Sequence, residues 1–264
     1  MASARLPVNE GSAKALLMKR GKGRGDGSAA RPRFWGRHAV TAALANSKRT
    51  VRKIWATRAA AEQLDVPGSV PLVFADVADL GRMVPNDAPH QGLVAEVDPL
   101  PELWLDDVLA NKGGRPVVVL DQVTDPHNVG AILRSAAAFN ALALVTQDRH
   151  APPESGALAK AASGMLEVVP WVRVVNLSRA LDELADAGFW RVGLAGETRT
   201  TLDEALGPQD VALVLGAEGE GLRQNVAAHC DTLARLPIHE KVESLNVSNA
   251  AAIALYAVAS RGAR

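Results

Sequence analysis

Apolar and polar positions alternate in blocks along this chain. After Pro116 the apolar blocks are short and nearly continuous: Val117–Leu120, Ala141–Thr146, Val172–Val175, Arg191–Ala195, Val211–Leu215 and Leu233–Leu236. Runs of this kind, bounded by turn residues, are expected of strands buried on both faces. Longer segments with helical spacing lie between them, chiefly Asn128–Phe139, Leu177–Ala187 and Asn246–Ser260. Asn176 and Ser178 are placed to cap the second of these, and Gly188 to end it. Strands that alternate with helices predict an α/β fold, a parallel sheet with helices on both sides. Upstream, the alternation in Val51–Lys53 and Ile54–Ala56 reads as an ordinary strand with a charged outer face, within a stretch of short strands and helices.

Two breaks divide the chain. Asp98-Pro-Leu-Pro101 and Asn111-Lys-Gly-Gly-Arg-Pro116 both interrupt regular structure, and a short helix over Glu102–Ala110 is predicted between them. The organisation expected is a tail over residues 1–32, a small α/β domain over 33–98, a linker over 99–115 and a larger α/β domain over 116–264. No internal repeat is apparent.

Composition narrows the class. With 264 residues, 48% of them hydrophobic, the chain has enough apolar material for a proper core. The longest apolar run, Ala250–Ala259, falls short of the roughly 18–20 residues that span a bilayer. Cys230 is the only cysteine, so neither an internal disulfide nor a zinc knuckle can form. The six histidines show no metal spacing. A soluble cytoplasmic protein with no membrane partner and no metal is expected.

The formal charge of zero hides an asymmetry. Residues 1–33 carry eight cations against Glu10 and Asp26, a net +6. Within them, Lys19-Arg-Gly-Lys-Gly-Arg-Gly-Asp-Gly-Ser28 has almost nothing to bury and predicts a disordered arm. Such an arm suits a polyanion and reads equally as a solvated tail. A second basic cluster, Lys48, Arg49, Arg52, Lys53 and Arg58 around Trp55, has the cation–aromatic mixture of a single-stranded RNA site. It also reads as the charged outer face of an ordinary strand.

Three segments carry candidate chemistry. In Leu120-Asp-Gln-Val-Thr-Asp-Pro-His-Asn-Val-Gly-Ala-Ile-Leu-Arg-Ser-Ala136 a strand runs into a polar loop, where ligands of open α/β sheets bind, and Asn128 is placed to cap the next helix. Arg134, on that apolar helix, is either a solubilising residue or a functional cation. In Val214-Leu-Gly-Ala-Glu-Gly-Glu-Gly-Leu-Arg223 a glycine-rich turn follows a strand. Gly216 and Gly221 match the start of a phosphate loop, yet Leu222 and Arg223 stand where Lys and Ser or Thr are needed, which weakens a phosphohydrolase reading. Glu218 and Glu220 would repel a phosphate, so a ligand with hydroxyls or positive charge fits better. In Leu236-Pro-Ile-His-Glu-Lys-Val-Glu-Ser-Leu-Asn-Val-Ser248 a strand ends at a proline, and Ser244 or Asn246 opens an alanine-rich helix. No Gly-x-Ser-x-Gly elbow exists, so a hydrolase reading has no nucleophile.

Together the three segments resemble the SpoU family, also called TrmH, of RNA ribose 2′-O-methyltransferases. Asp125-Pro-x-Asn-x-Gly-x-x-x-Arg134, Leu215-Gly-Ala-Glu-Gly-x-Gly221 and Pro237 followed by Ser244-Leu-Asn-Val-Ser248 look like its three motifs in order. Phe34-Trp-Gly-Arg-His-Ala-Val40 and His90-Gln-Gly-Leu-Val94 resemble the ribosomal-protein-L30e-like domain of a subgroup that methylates a guanosine of large-subunit (23S) rRNA. The resemblance implies a SPOUT-type α/β sheet with a carboxyl-terminal trefoil knot, preceded by a small L30e-like RNA-binding domain. It implies a homodimer that uses S-adenosyl-L-methionine, held by backbone at Gly216, Leu236 and Leu245. The functional positions it implies are Asn128, Arg134, Glu218, Ser244 and Asn246. Glu240 stands where the family usually has glycine. Alternatives to rRNA methylation are methylation of tRNA ribose and a non-catalytic RNA-binding role in ribosome assembly.

Overall fold

A computed structural model describes residues 31–262, and the basic arm predicted at residues 1–32 lies outside them except for its last two residues. Two sheets organise the chain. The first contains β1 (Arg33–Trp35), β2 (Val51–Ala56), β3 (Leu72–Phe74) and β4 (Leu93–Val97) in the order β1-β4-β2-β3. Here β4 runs antiparallel to β1 and β2, while β2 and β3 are parallel. Three helices accompany it: α1 (Arg37–Ala45), α2 (Arg58–Ala61) and α3 (Val77–Gly81).

The second sheet is parallel throughout. Its strands are β5 (Val117–Asp121), β6 (Ala143–Gln147), β7 (Trp171–Val174), β8 (Phe189–Leu194), β9 (Asp210–Gly216) and β10 (Thr232–Ala234). Their order is β10-β8-β9-β5-β6-β7. The continuous apolar runs are the reason: every residue of β5 is buried, and helices cover both faces. Around the sheet lie α4 (Leu105–Leu109), α5 (Pro126–Ala138), α6 (Gly156–Ala162), α7 (Leu177–Asp186), α8 (Leu202–Ala205), α9 (Gln224–Ala227) and α10 (Val247–Gly262). One main core runs through both sheets, from Phe34, Val40 and Ile54 to Leu120, Leu133, Leu158 and Leu255. A second core lies on the other face of the parallel sheet, around Val117, Val119, Leu181 and Phe189.

Local signals account for most boundaries. Asn176 caps α7 by accepting from the Arg179 amide, and Gly188 follows it with φ +87°, as expected. Asn246 opens α10 by accepting from the Ser248 and Asn249 amides, and Ser244 does not take that part. Two expectations shift. The linker helix is shorter than the predicted 102–110, because Trp104 is still extended before Leu105. Asn128 does not cap α5: Pro126 occupies the first turn, so Asp125 takes the cap and accepts from the His127 amide. Asn128 sits three positions past the cap, with its side chain turned to other contacts. Among the described residues, no helix is long and apolar enough to cross a membrane.

Candidate active site

Three segments far apart in sequence converge beyond the carboxyl ends of β5 and β9. Asp121 ends β5 with a fully buried carboxylate, which accepts from the Arg223 amide at 2.9 Å and from its Nε at 2.8 Å. Arg223 also donates to Gln147 Oε1 at 2.9 Å, so the loop after β9 is pinned to β5 and β6. Sequence reading missed this pair. A lone carboxylate closing an apolar strand was its only signal.

That loop is a tight turn. The Gly221 amide donates to Ala217 O at 2.9 Å, and Gly219 and Gly221 adopt φ of +83° and +68°. A Cβ on Gly216 would lie 2.0 Å from the Gly221 carbonyl carbon, so only glycine lets the turn close. The turn carries Glu218 toward the start of α10. Glu218 Oε1 accepts from Asn128 Nδ2 at 3.2 Å, from Asn246 Nδ2 at 2.5 Å and from the Val247 amide at 3.2 Å. Asn246 Nδ2 also approaches Asn128 Oδ1 at 2.9 Å. Since an ionised carboxylate only accepts, Glu218 fixes which way both amides face.

Arg134 lies on the same helix as Asn128, exposed, with its side chain in a groove of about 420 Å³ lined also by Ala137, Ala138, Ser163, Met165 and Val168. An exposed guanidinium beside small and apolar residues is open to an anionic partner. Of the other residues singled out, Ser244 is exposed and stands outside the hydrogen-bonded group, whereas Leu245 is half-buried beside Asn246. Leu236 is half-buried against the main core just after β10. The loop from Pro237 to Lys241 turns by Ile238 and Val242 amides donating to Leu236 O and His239 O, with Glu240 exposed.

The basic cluster around Trp55 divides. Lys53 Nζ lies 4.9 Å from the Trp55 ring centroid and Arg33 5.6 Å from it. Arg58 stacks over the exposed Phe74 at 5.0 Å. Arg49 corrects the expectation: it is fully buried and donates to Glu154 and Glu167, so it is unavailable to RNA. Arg52 is bound to Asp98 at the surface. Among the described residues, no group of three or more His, Cys, Asp or Glu side chains is placed to hold a metal ion.

Comparison with known proteins follows the same division of the chain. Residues 115–256 match the SpoU rRNA methylase family, and residues 34–103 match the substrate-binding family of RNA 2′-O ribose methyltransferases. The chain belongs to the SpoU rRNA methylase family. It is 37% identical over 237 residues to the 23S rRNA (guanosine-2′-O-)-methyltransferase RlmB of Pseudomonas putida, covering 85% of this chain and 94% of the relative. It is 40% identical over 230 residues to RlmB of Ralstonia nicotianae, covering 84% and 92%. A tRNA/rRNA methyltransferase of Synechocystis, described as uncharacterized, is 38% identical over 236 residues, and there the chain spans only 61% of the relative. Among solved structures, the SpoU methyltransferase AviRb of Streptomyces viridochromogenes in complex with AdoMet superposes with a TM-score of 0.72 at 25% identity, covering 89% of this chain and 91% of the other.

Proposed function

We propose that this SpoU-family enzyme transfers a methyl group from S-adenosyl-L-methionine to the ribose 2′-hydroxyl of a guanosine in large-subunit (23S) rRNA. The observation that carries the reading is the Asn128–Glu218–Asn246 group, in which one carboxylate oxygen joins all three family motifs a helix turn and a half from Arg134. The substrate class follows from the RlmB relatives, which match nearly end to end.

The chemistry of the site fits a sulfonium cofactor. The glycine turn presents Glu218 and Glu220 and no cation until Arg223, whose charge is spent on Asp121. Leu236 and Leu245, both half-buried, offer apolar side chains next to their backbone. Backbone at Gly216, Leu236 and Leu245 would hold the cofactor, which supplies an electrophilic methyl when bound. A ribose hydroxyl is a weak nucleophile until its proton is shared or lost, so the protein must align it and offset the negative charge that develops. Arg134 binds the adjoining phosphate and stabilises the forming alkoxide. A guanidinium keeps its own proton in a protein, so Arg134 serves as that stabiliser rather than as a base, and the hydroxyl proton passes to solvent water as the methyl–oxygen bond forms. Asn128, held by Glu218 and Asn246, orients the ribose or Arg134. Ser244 lies on the same loop and contributes its hydroxyl to the substrate side.

The finer architecture belongs to the same proposal. The chain after β10 passes through the loop that carries Glu218 to form a trefoil knot, a reading supported by the reach of Asn246 back to the turn after β9. Residues 33–98 form an L30e-like RNA-binding domain, 99–115 the linker and 116–264 the catalytic domain. The enzyme is a cytoplasmic homodimer and needs no metal. The test is transfer of labelled methyl from S-adenosyl-L-methionine to separated RNA classes. Label in large-subunit rRNA is expected, and label confined to tRNA would replace the substrate while keeping the chemistry.

A further inference from the structure

The buried arginine between the two sheets has no place in that chemistry. Arg49 follows α1, on the first sheet's side, and its guanidinium is wholly enclosed. Its Nη2 donates to Glu167 Oε1 at 2.7 Å and its Nε to the same carboxylate at 3.0 and 3.1 Å. Its Nη1 donates to Glu154 Oε2 and to the Asp98 carbonyl, both at 2.7 Å. The remaining carboxylate oxygens are occupied too: Asn46 Nδ2 reaches Glu167 Oε2 at 2.7 Å, and the Leu100 amide reaches Glu154 Oε1 at 3.1 Å. Glu154 and Glu167 lie either side of α6, on the parallel sheet's side, more than a hundred residues from Arg49 in sequence.

Apolar packing alone would hold the sheets together, because Phe34 and Val40 share one core with Leu158 and Leu166. A planar fork that meets two carboxylates and a carbonyl at once adds direction, since it is satisfied at a single orientation. Glu167 ends a 3₁₀ turn, Met165–Glu167, and Met165 and Val168 line the groove that holds Arg134. The clamp thus sits between two residues that line the groove holding Arg134. We infer that Arg49 is a positioning residue: with Glu154 and Glu167 it fixes the RNA-binding sheet in the orientation that delivers the ribose to Arg134. The inference rests on the proposed function for its catalytic readout and on geometry alone for its structural one.

Two variants test it from different sides. Arg49→Lys keeps the charge and loses the fork. Gly156→Ala leaves the charges intact and drives a Cβ to within 1.8 Å of the Trp35 ring, wedging the same boundary. In both, kcat per folded molecule on an rRNA fragment should fall about tenfold or more, because displacements near 1 Å cost that much or more. Affinities for S-adenosyl-L-methionine and for the RNA should stay within about threefold of wild type. Hydrogen exchange should quicken across α1, α6 and the Met165–Glu167 turn while β5 and β9 stay protected. Should Arg49→Lys not fold, Glu167→Gln carries the same expectations. Unchanged exchange at the boundary overturns the inference whether or not the wild type methylates RNA. Unchanged kcat in the folded variants of an active enzyme overturns it as well. A silent wild type with the exchange pattern as expected sinks the functional reading alone.

Discussion

Asn246 Nδ2 lies 2.9 Å from Asn128 Oδ1, joining the start of α10 to the first turn of α5 across 118 residues of chain. Both amides share Glu218 Oε1, so a single carboxylate determines how the two asparagines face the substrate. Hydrogen bonds to charged groups contribute about 1.5–3 kcal/mol when enclosed, and Glu218 is exposed, so the low end applies. Glu218→Ala is expected to lower kcat/KM roughly tenfold with little change in thermal midpoint. Steady-state kinetics on an rRNA fragment would decide it, and a wild-type value would remove Glu218 from the site.

Arg134 should separate chemistry from binding. Its side chain is exposed, so Arg134→Ala should fold normally and bind S-adenosyl-L-methionine as the wild type does. Loss of a group that stabilises developing charge typically costs about 10²–10³ in rate. Single-turnover methylation measures this directly. A variant with a near-normal rate would mean the cation is a solubilising surface residue.

The pair beneath the glycine turn predicts a stability effect. Asp121 is fully buried and Arg223 is partly exposed, so removing the carboxylate strands a charge that water can still reach in part. Asp121→Ala should cost about 2–3 kcal/mol, below the usual loss for a wholly buried pair. For a chain of this size that is a fall of roughly 4–12 °C in Tm, read by calorimetry. Cofactor affinity should weaken in parallel as the turn loosens. An unchanged Tm would show that the turn holds without its anchor.

Acid should weaken the fold through identifiable pairs. The hydrogen bond from Arg191 holds the Asp231 carboxyl below its ordinary value, and Arg52 does the same to Asp98. A depressed folded-state pKa contributes stability that is present above the unfolded value of about 3.9 and is lost as pH falls through the folded value. Urea midpoints should therefore be flat near neutrality and fall below about pH 4. In Arg191→Ala the acid fall should be shallower, and an identical pH profile would contradict the assignment.

Cys230 should be inert. Burial pushes its thiol up to about 12, so the nucleophilic thiolate is scarce at pH 8. Alkylation by iodoacetamide is expected to be on the order of a hundredfold slower in the folded protein than in denaturant. The same shift means that stability declines as pH rises past the unfolded thiol's value of about 8.5, because only the unfolded chain ionises readily there. Equal alkylation rates would place the thiol at the surface.

The parallel sheet was legible because its strands bury both faces and therefore carry unbroken apolar runs, as Val117–Leu120 does. Motif residues were legible as a set, yet local pattern misassigned one of them. Asn128 reads as a helix cap until Pro126 is seen to set the helix start, which hands the cap to Asp125. Arg49 reads as one cation among five around Trp55. Its two partners lie 105 and 118 residues away, and only the packed chain turns it inward. Asp121 and Arg223, 102 residues apart, were hidden for the same reason. Periodicity reports burial along a segment and is blind to which distant carboxylate a buried cation will meet.

The most direct test of the account is mass mapping of the methyl group after reaction of the purified protein with S-adenosyl-L-methionine and large-subunit rRNA that lacks its own ribose methylations. The account predicts one added methyl, on the ribose 2′-oxygen of a guanosine, absent when Arg134→Ala replaces the wild type. A methyl on a base, or no methyl on any RNA by a protein that folds and binds the cofactor, would contradict it.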